Sequence, residues 1–220
     1  MGDAKAVIAS ENRALEFSLL ITLPAAVALF IASGPIIRVL FERGAFTTID
    51  ARATAGMLSA LAIGLPAYVV VQALHPSFFA REDTKTPMTY AGIALAANAV
   101  LALVLFTAIG AVGIAIAVSI AGWINVALLV MGLRARGEFA LDDAFRRAFL
   151  GMVLASIAMG VAVWWLTGAL APWFAPEAGL LLQVSSLGAL IAMGFLAYLL
   201  VGTLAGALKP KTLLNDLLGR

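Results

Sequence analysis

The chain has 220 residues, of which 63% are hydrophobic and 12% charged, with no cysteine and a formal net charge of +2. A soluble domain carries about 25% charged residues, so a water-soluble globule is excluded, as are a disulfide framework and a cysteine-based metal site. The small positive balance points away from nucleic acid, because Lys and Arg in a membrane protein act first as topology signals and headgroup anchors.

The charges are segregated, and the apolar runs between them exceed the roughly 20 residues that cross a bilayer. Residues 1–16 include Asp3, Lys5, Glu11, Asn12, Arg13 and Glu16, which is no hydrophobic core of a signal peptide. The first span is predicted over 17–40. The second covers 57–80, with Pro66 and Pro76 as kink positions. The third covers 88–107, with Pro87 at its start, where a missing N–H costs little. A tight turn at Ala108-Ile109-Gly110 leads into the fourth, 111–133. The fifth covers 145–170, closed by Pro172 and Pro176, and the sixth 179–208. The expected fold is therefore all-α: a polytopic bundle of six transmembrane helices. Residues 134–147 are the longest connection on the side that the charge count below makes cytoplasmic. They divide the chain into a four-helix unit, 1–136, and a loop with a terminal helix pair, 137–220.

An even number of spans puts both termini on one side. Of the 14 Lys and Arg, that side holds Lys5 and Arg13, Arg81 and Lys85, Arg134, Arg136, Arg146 and Arg147, then Lys209, Lys211 and Arg220. Only Arg38, Arg43 and Arg52 fall on the other. The positive-inside rule then places both termini in the cytoplasm.

The spans contain almost no ionisable group. Arg38 sits at a span end, where it can snorkel. His75 is a lone histidine before Pro76 and reads as a packing or interface residue. No paired carboxylates, metal-spaced cluster or serine with a base is present to support catalysis. Gln72, Asn98, Ser119, Asn125, Gln183, Ser185 and Ser186 are the uncharged polar residues within spans. Asn98 and Ser119 lie at mid-depth of neighbouring helices, where they either hydrogen-bond between helices or offer oxygen to a small cation such as Na⁺. Gly110, Gly113, Ala117 and Ala121 suit close helix packing, and Trp164, Trp165 and Trp173 suit an interfacial belt. Asp142 and Asp143 read as a solvated helix start.

The densest polar cluster is Arg81-Glu82-Asp83-Thr84-Lys85-Thr86-Pro87, between two apolar runs. Such a cluster belongs at a lipid–water boundary. Asp83 and Thr84 can cap the third helix, and Arg81, Glu82, Asp83 and Lys85 can pair at the interface. A charged turn between kinked helices also suits a gate in an alternating-access transporter.

Phe78 to Met88, Phe-Phe-Ala-Arg-Glu-Asp-Thr-Lys-Thr-Pro-Met, resembles the turn shared across the multidrug/oligosaccharidyl-lipid/polysaccharide exporter superfamily. Leu40-Phe41-Glu42-Arg43-Gly44-Ala45-Phe46 with Asp50 resembles a helix end of the MurJ (MviN) lipid II flippases, and Leu15 to Leu20 with Leu23 to Ala26 resembles the start of that helix. The resemblance runs over most of residues 14–133. It implies a MATE-like fold of which this chain is the last six of fourteen helices, a missing N-terminal lobe as partner, and a place in the bacterial inner membrane. It also implies a transporter rather than an enzyme, which flips the undecaprenyl-pyrophosphate-linked peptidoglycan precursor for cell wall synthesis without a cofactor, driven by Na⁺ or the membrane potential. The last two helices would form a groove for the lipid tail in contact with membrane lipids. Asn98 would match one cation ligand and Ser119 another, but the family's acidic partner one turn after Asn98 is Ala102 here. The alternatives are a polysaccharide-lipid flippase or drug/cation antiporter of the same superfamily, an intramembrane enzyme on lipid-linked substrates, and a structural subunit.

Overall fold

A computed structural model describes residues 2–175 and 178–206. In chain order these form α1 (Gly2–Phe41), α2 (Thr48–Phe79), α3 (Lys85–Ile109), α4 (Ala111–Ala135), α5 (Asp143–Ala169), a 3₁₀ turn (Ala171–Phe174) and α6 (Leu180–Leu204). All six α-helices are long and apolar enough to cross a membrane. The end of the sixth predicted span, Lys209, Lys211, Arg220 and Pro176 lie outside the described residues.

Two helices are longer than expected, for one reason. Polar residues end a membrane span but need not end a helix. α1 starts far ahead of residue 17; Leu15 and Asn12 are buried on its packed side while Arg13 faces out. Asn12 Nδ2 donates to the Ala140 carbonyl at 3.0 Å. α2 starts at Thr48 because Thr47 and Asp50 form a reciprocal capping box. The α3–α4 turn is tighter than three residues: α3 runs to Ile109, and Gly110 alone, at φ +66°, links the helices.

Consecutive helices alternate in direction. Leu15 and Leu19 of α1 share one core cluster with Leu74 and Phe78 of α2, Leu129 and Leu133 of α4, and Phe145 and Met152 of α5. This first end of the bundle therefore gathers the α2–α3 turn and the α4–α5 loop. At the second end, Ile37 packs on Ala51 and Ala55. A further cluster joins Ala32 and Val39 of α1 to Met159 and Val163 of α5, Phe174, and Leu187, Leu190 and Tyr198 of α6. So α5 and α6 lie along α1.

Polar side chains tie the helices where no water can. Ser119 donates to the Ala60 carbonyl at 2.6 Å, Trp123 Nε1 to Ile63 at 3.0 Å and Tyr68 to Val118 at 3.1 Å, all between α2 and α4. Ser33 and Ser59 Oγ atoms lie 2.7 Å apart between α1 and α2, and Tyr198 donates to Leu20 at 2.8 Å. Such bonds, with small residues that let backbones approach, hold helices together where lipid removes the hydrophobic drive.

Candidate functional site

The polar turn after α2 and the loop after α4 meet at the first end of the bundle, and they are built alike. At the end of α2, the Asp83 N–H donates to the Phe78 carbonyl at 3.2 Å and the Glu82 N–H to Phe79 at 2.9 Å. At the end of α4, the Glu138 N–H donates to Leu133 at 3.0 Å and the Gly137 N–H to Arg134 at 2.9 Å. Both are Schellman caps, which satisfy the last carbonyls of a helix through a residue in the left-handed region. That residue is Glu82 at φ +59° in one and Gly137 at φ +71° in the other.

Each cap places an arginine just before the left-handed residue and a carboxylate just after it. The two sets then pair crosswise. Arg136 Nη2 lies 2.6 Å from Asp83 Oδ2 and 3.1 Å from Thr86 Oγ1. Arg81 pairs with Glu138. The Arg136 guanidinium also stands over the ring of Phe78, 5.3 Å from its centre, and that ring is fully buried. Arg134 lies 5.6 Å from the centre of Phe139. The result is a reciprocal ionic clasp between the ends of α2 and α4, seated on the core.

The cap of α3 belongs to Asp83 alone: its Oδ1 accepts the Thr86 N–H at 3.0 Å, whereas Thr84 makes no side-chain cap bond. The anticipated pairing within the turn is also replaced. Arg81 and Asp83 find their partners on the α4 end, because both project toward the second Schellman cap, and Glu82 and Lys85 face outward as exposed residues. The Thr86 N–H, then the Arg136 guanidinium, hold the Asp83 carboxyl down at about 2. Pro87 is buried in the first turn of α3.

Sequence reasoning missed Arg136 and Glu138 as partners. A signal existed: Ala80-Arg81-Glu82-Asp83 and Ala135-Arg136-Gly137-Glu138 share Ala-Arg-x-acid, each at a helix end.

The Glu42–Phe46 stretch forms the α1–α2 turn at the second end. Glu42 accepts from Thr48 Oγ1 at 2.5 Å and sits 3.7 Å from Arg38 Nε. Arg43 donates to the Val39 carbonyl at 2.5 Å. Gly44 takes φ +59°, and Phe46 packs back on Phe41 with ring centres 6.2 Å apart.

The two cation candidates are not used alike. Ser119 is buried and turned to α2, with its hydroxyl given to Ala60. Asn98, on α3, keeps a buried Oδ1 without a partner, as does Asn125 on α4. Among the described residues no group of three His, Cys, Asp or Glu is placed to hold a metal. His75 stacks obliquely near Phe79 at 5.7 Å.

A family model described as "Lipid II flippase MurJ" matches residues 2–185. A probable lipid II flippase MurJ of Rhizobium tropici is 39% identical over 216 residues, covering 98% of this chain and 40% of that protein. One of Rhizobium meliloti (strain 1021) is 45% identical over 154 residues, covering 70% of this chain and 29% of the relative. A solved structure, "Lipid II flippase MurJ, inward closed conformation", superposes with a TM-score of 0.70 at 31% identity, covering all of this chain and 41% of that one. The chain thus spans about two fifths of the length of the first of these relatives.

Proposed function

Because the chain belongs to the MurJ lipid II flippase family, we propose that it is the C-terminal part of a flippase that moves the undecaprenyl-pyrophosphate-linked peptidoglycan precursor across the bacterial inner membrane by alternating access. The observation that carries this reading is the continuity of the match: six helices in one order, covered end to end by a solved lipid II flippase. The activity is transport rather than catalysis. The remaining lobe is a partner supplied by the N-terminal part that the longer relatives possess.

In this reading the first end of the bundle is cytoplasmic, and the α2–α4 clasp is a structural or gating element rather than a cargo contact. All of its charges are already paired, so it lacks the open cationic donors that a pyrophosphate needs. α5 and α6 expose apolar side chains, among them Leu154, Ile157 and Val161, then Val184, Ile191 and Phe195. This supports their role as the face that meets lipid tails.

A Na⁺ site built on Asn98 and Ser119 draws support from one residue. The buried Asn98 Oδ1 has no partner, which suits a cation, whereas the Ser119 hydroxyl is turned to α2, where it donates to Ala60. Ala102 brings no charge. No coupling step is drawn through these residues.

The test is genetic. The C-terminal part of a relative is replaced by this chain in a strain depleted of its own lipid II flippase. Growth is expected. Lysis despite normal membrane insertion would favour a polysaccharide-lipid flippase or drug/cation antiporter. In the rescued strain, Arg81→Ala with Asp83→Ala is expected to slow growth, and unchanged growth would remove the clasp from the transport cycle.

A further inference from the structure

At the second end of the bundle, α1, α2, α5 and the 3₁₀ turn enclose a cleft of about 280 Å³. Arg38 and Arg52 both line it, from neighbouring helices, and Thr167 and Phe174 form the facing wall. A water's share of liquid volume is about 30 Å³, so the cleft accepts a small polyatomic group.

Its polar inventory is unbalanced. The Thr167 Oγ1 is buried in the wall without a hydrogen-bond partner, and an orphaned buried hydroxyl is costly unless something else satisfies it. Arg52 makes no hydrogen bond or ion pair among the described residues. Arg38 has only a long contact, 3.7 Å, to Glu42, whose Oε1 is engaged by Thr48. The other charges at this end are spent locally. Arg43 donates to its own helix carbonyl, and Asp50 Oδ2 accepts from both the N–H and the hydroxyl of Thr47. Two arginines with under-used guanidinium groups and a threonine whose buried hydroxyl lacks a partner therefore line one cavity of small-group size. Snorkelling alone explains an arginine at a span end, but not two on one cleft with an orphaned donor in its wall.

We infer that this cleft is a binding site for a phosphoryl anion, clamped by Arg38 and Arg52 with Thr167 donating a hydrogen bond. Guanidinium groups match phosphate oxygens in planar, charge-assisted pairs, and Phe174 closes the apolar side. The anion is carried either by an anionic lipid headgroup or by a free phosphate. The site lies at the opposite end of the bundle from the clasp, and stands or falls without it.

The full chain, purified in mild detergent, is titrated with phosphatidylglycerol, phosphatidylcholine or inorganic phosphate and read by native mass spectrometry. Preferential phosphatidylglycerol adducts, unaffected by phosphate, identify a lipid headgroup. Displacement of those adducts by phosphate, or phosphate adducts alone, identifies a soluble phosphoryl ligand. Thr167→Val keeps every charge, and Arg52→Gln removes the freer guanidinium. Each is expected to lower occupancy about tenfold, as the loss of one charge-assisted bond does. Arg43→Gln, which removes a charge outside the cleft, should leave occupancy unchanged. Circular dichroism confirms that each variant is helical. Equal binding of phosphatidylcholine and phosphatidylglycerol with no phosphate adduct, or equal losses in Arg43→Gln and Arg52→Gln, or a Thr167→Val variant that binds as the parent does, would overturn the site.

Discussion

Glu82 holds a backbone φ of +59°, in the position where the matching cap of α4 has Gly137 at +71°. For a residue with a Cβ this conformation costs roughly 1–2 kcal/mol, and glycine is free of that cost but loses about 0.5–1 kcal/mol in chain entropy. Gly137→Ala is therefore expected to destabilise by about 1 kcal/mol, and Glu82→Gly to be neutral or mildly stabilising. Thermal unfolding in detergent checks both; a marked loss in Glu82→Gly would show that its side chain has a role of its own. Next along the chain, Asp83 is a depressed acid, held at about 2 by the Thr86 N–H and then Arg136. Its contribution is present above the ordinary carboxylate value and is lost as pH falls through about 2. The stability difference between the parent and Asp83→Asn should accordingly stay flat from about pH 5 to 8. A slope in that window would mean that Asp83 takes up a proton in the working range.

Among the helices, close approach is where sequence and packing can be tested against each other. A Cβ on Gly64 would lie 2.9 Å from the Ser119 Cα, and one on Gly113 would lie 2.4 Å from the Leu105 carbonyl oxygen. Backbone cannot yield as a side chain does. Gly64→Ala and Gly113→Ala are each expected to cost about 1–3 kcal/mol by overpacking, and Gly64→Ala also strains the Ser119–Ala60 bond. On α3, a Cβ at Gly92 meets nothing within 4 Å, so Gly92→Ala should cost nothing and act as the control. Midpoints of unfolding that fall equally for all three would mean the losses come from helix glycine content rather than contact. The sequence marked Gly113 as a small residue in a close-packed stretch, but not its partner. Six helices were legible because each apolar run exceeds bilayer length. Helix ends were less so, because Thr47-Asp50 and residues 10–16 are polar yet helical or capping. The clasp was half legible. Arg81 and Asp83 stood out by density of charge. Arg136 and Glu138 did not, because pairing across 53 residues depends on two helix ends meeting, and only the repeated Ala-Arg-x-acid hinted that they do.

For the molecule as a whole, side-chain burial and charge point to different neighbours. α3 is nearly bare: Pro87 and Ala94 are its only buried residues. Charge predicts the axis. The first end of the bundle carries the clasp with Arg81, Lys85, Arg134 and Arg136, while the second carries Arg38, Arg43 and Arg52, so the positive-inside rule predicts that the clasp faces the cytoplasm, as proposed above. The chain has no cysteine, which makes this directly measurable. Single cysteines are placed at Thr84, in the turn between α2 and α3, and at Ala45, in the turn between α1 and α2; both are exposed and neither lies in the clasp. In intact spheroplasts an impermeant maleimide should label Ala45→Cys at once and Thr84→Cys only after the membrane is opened. The reverse pattern would invert the bundle, expose the clasp to the periplasm and remove the charge argument on which its proposed cytoplasmic placement depends. Labelling of both in intact cells would mean that the alternation of helices seen at the two ends is not kept across the membrane.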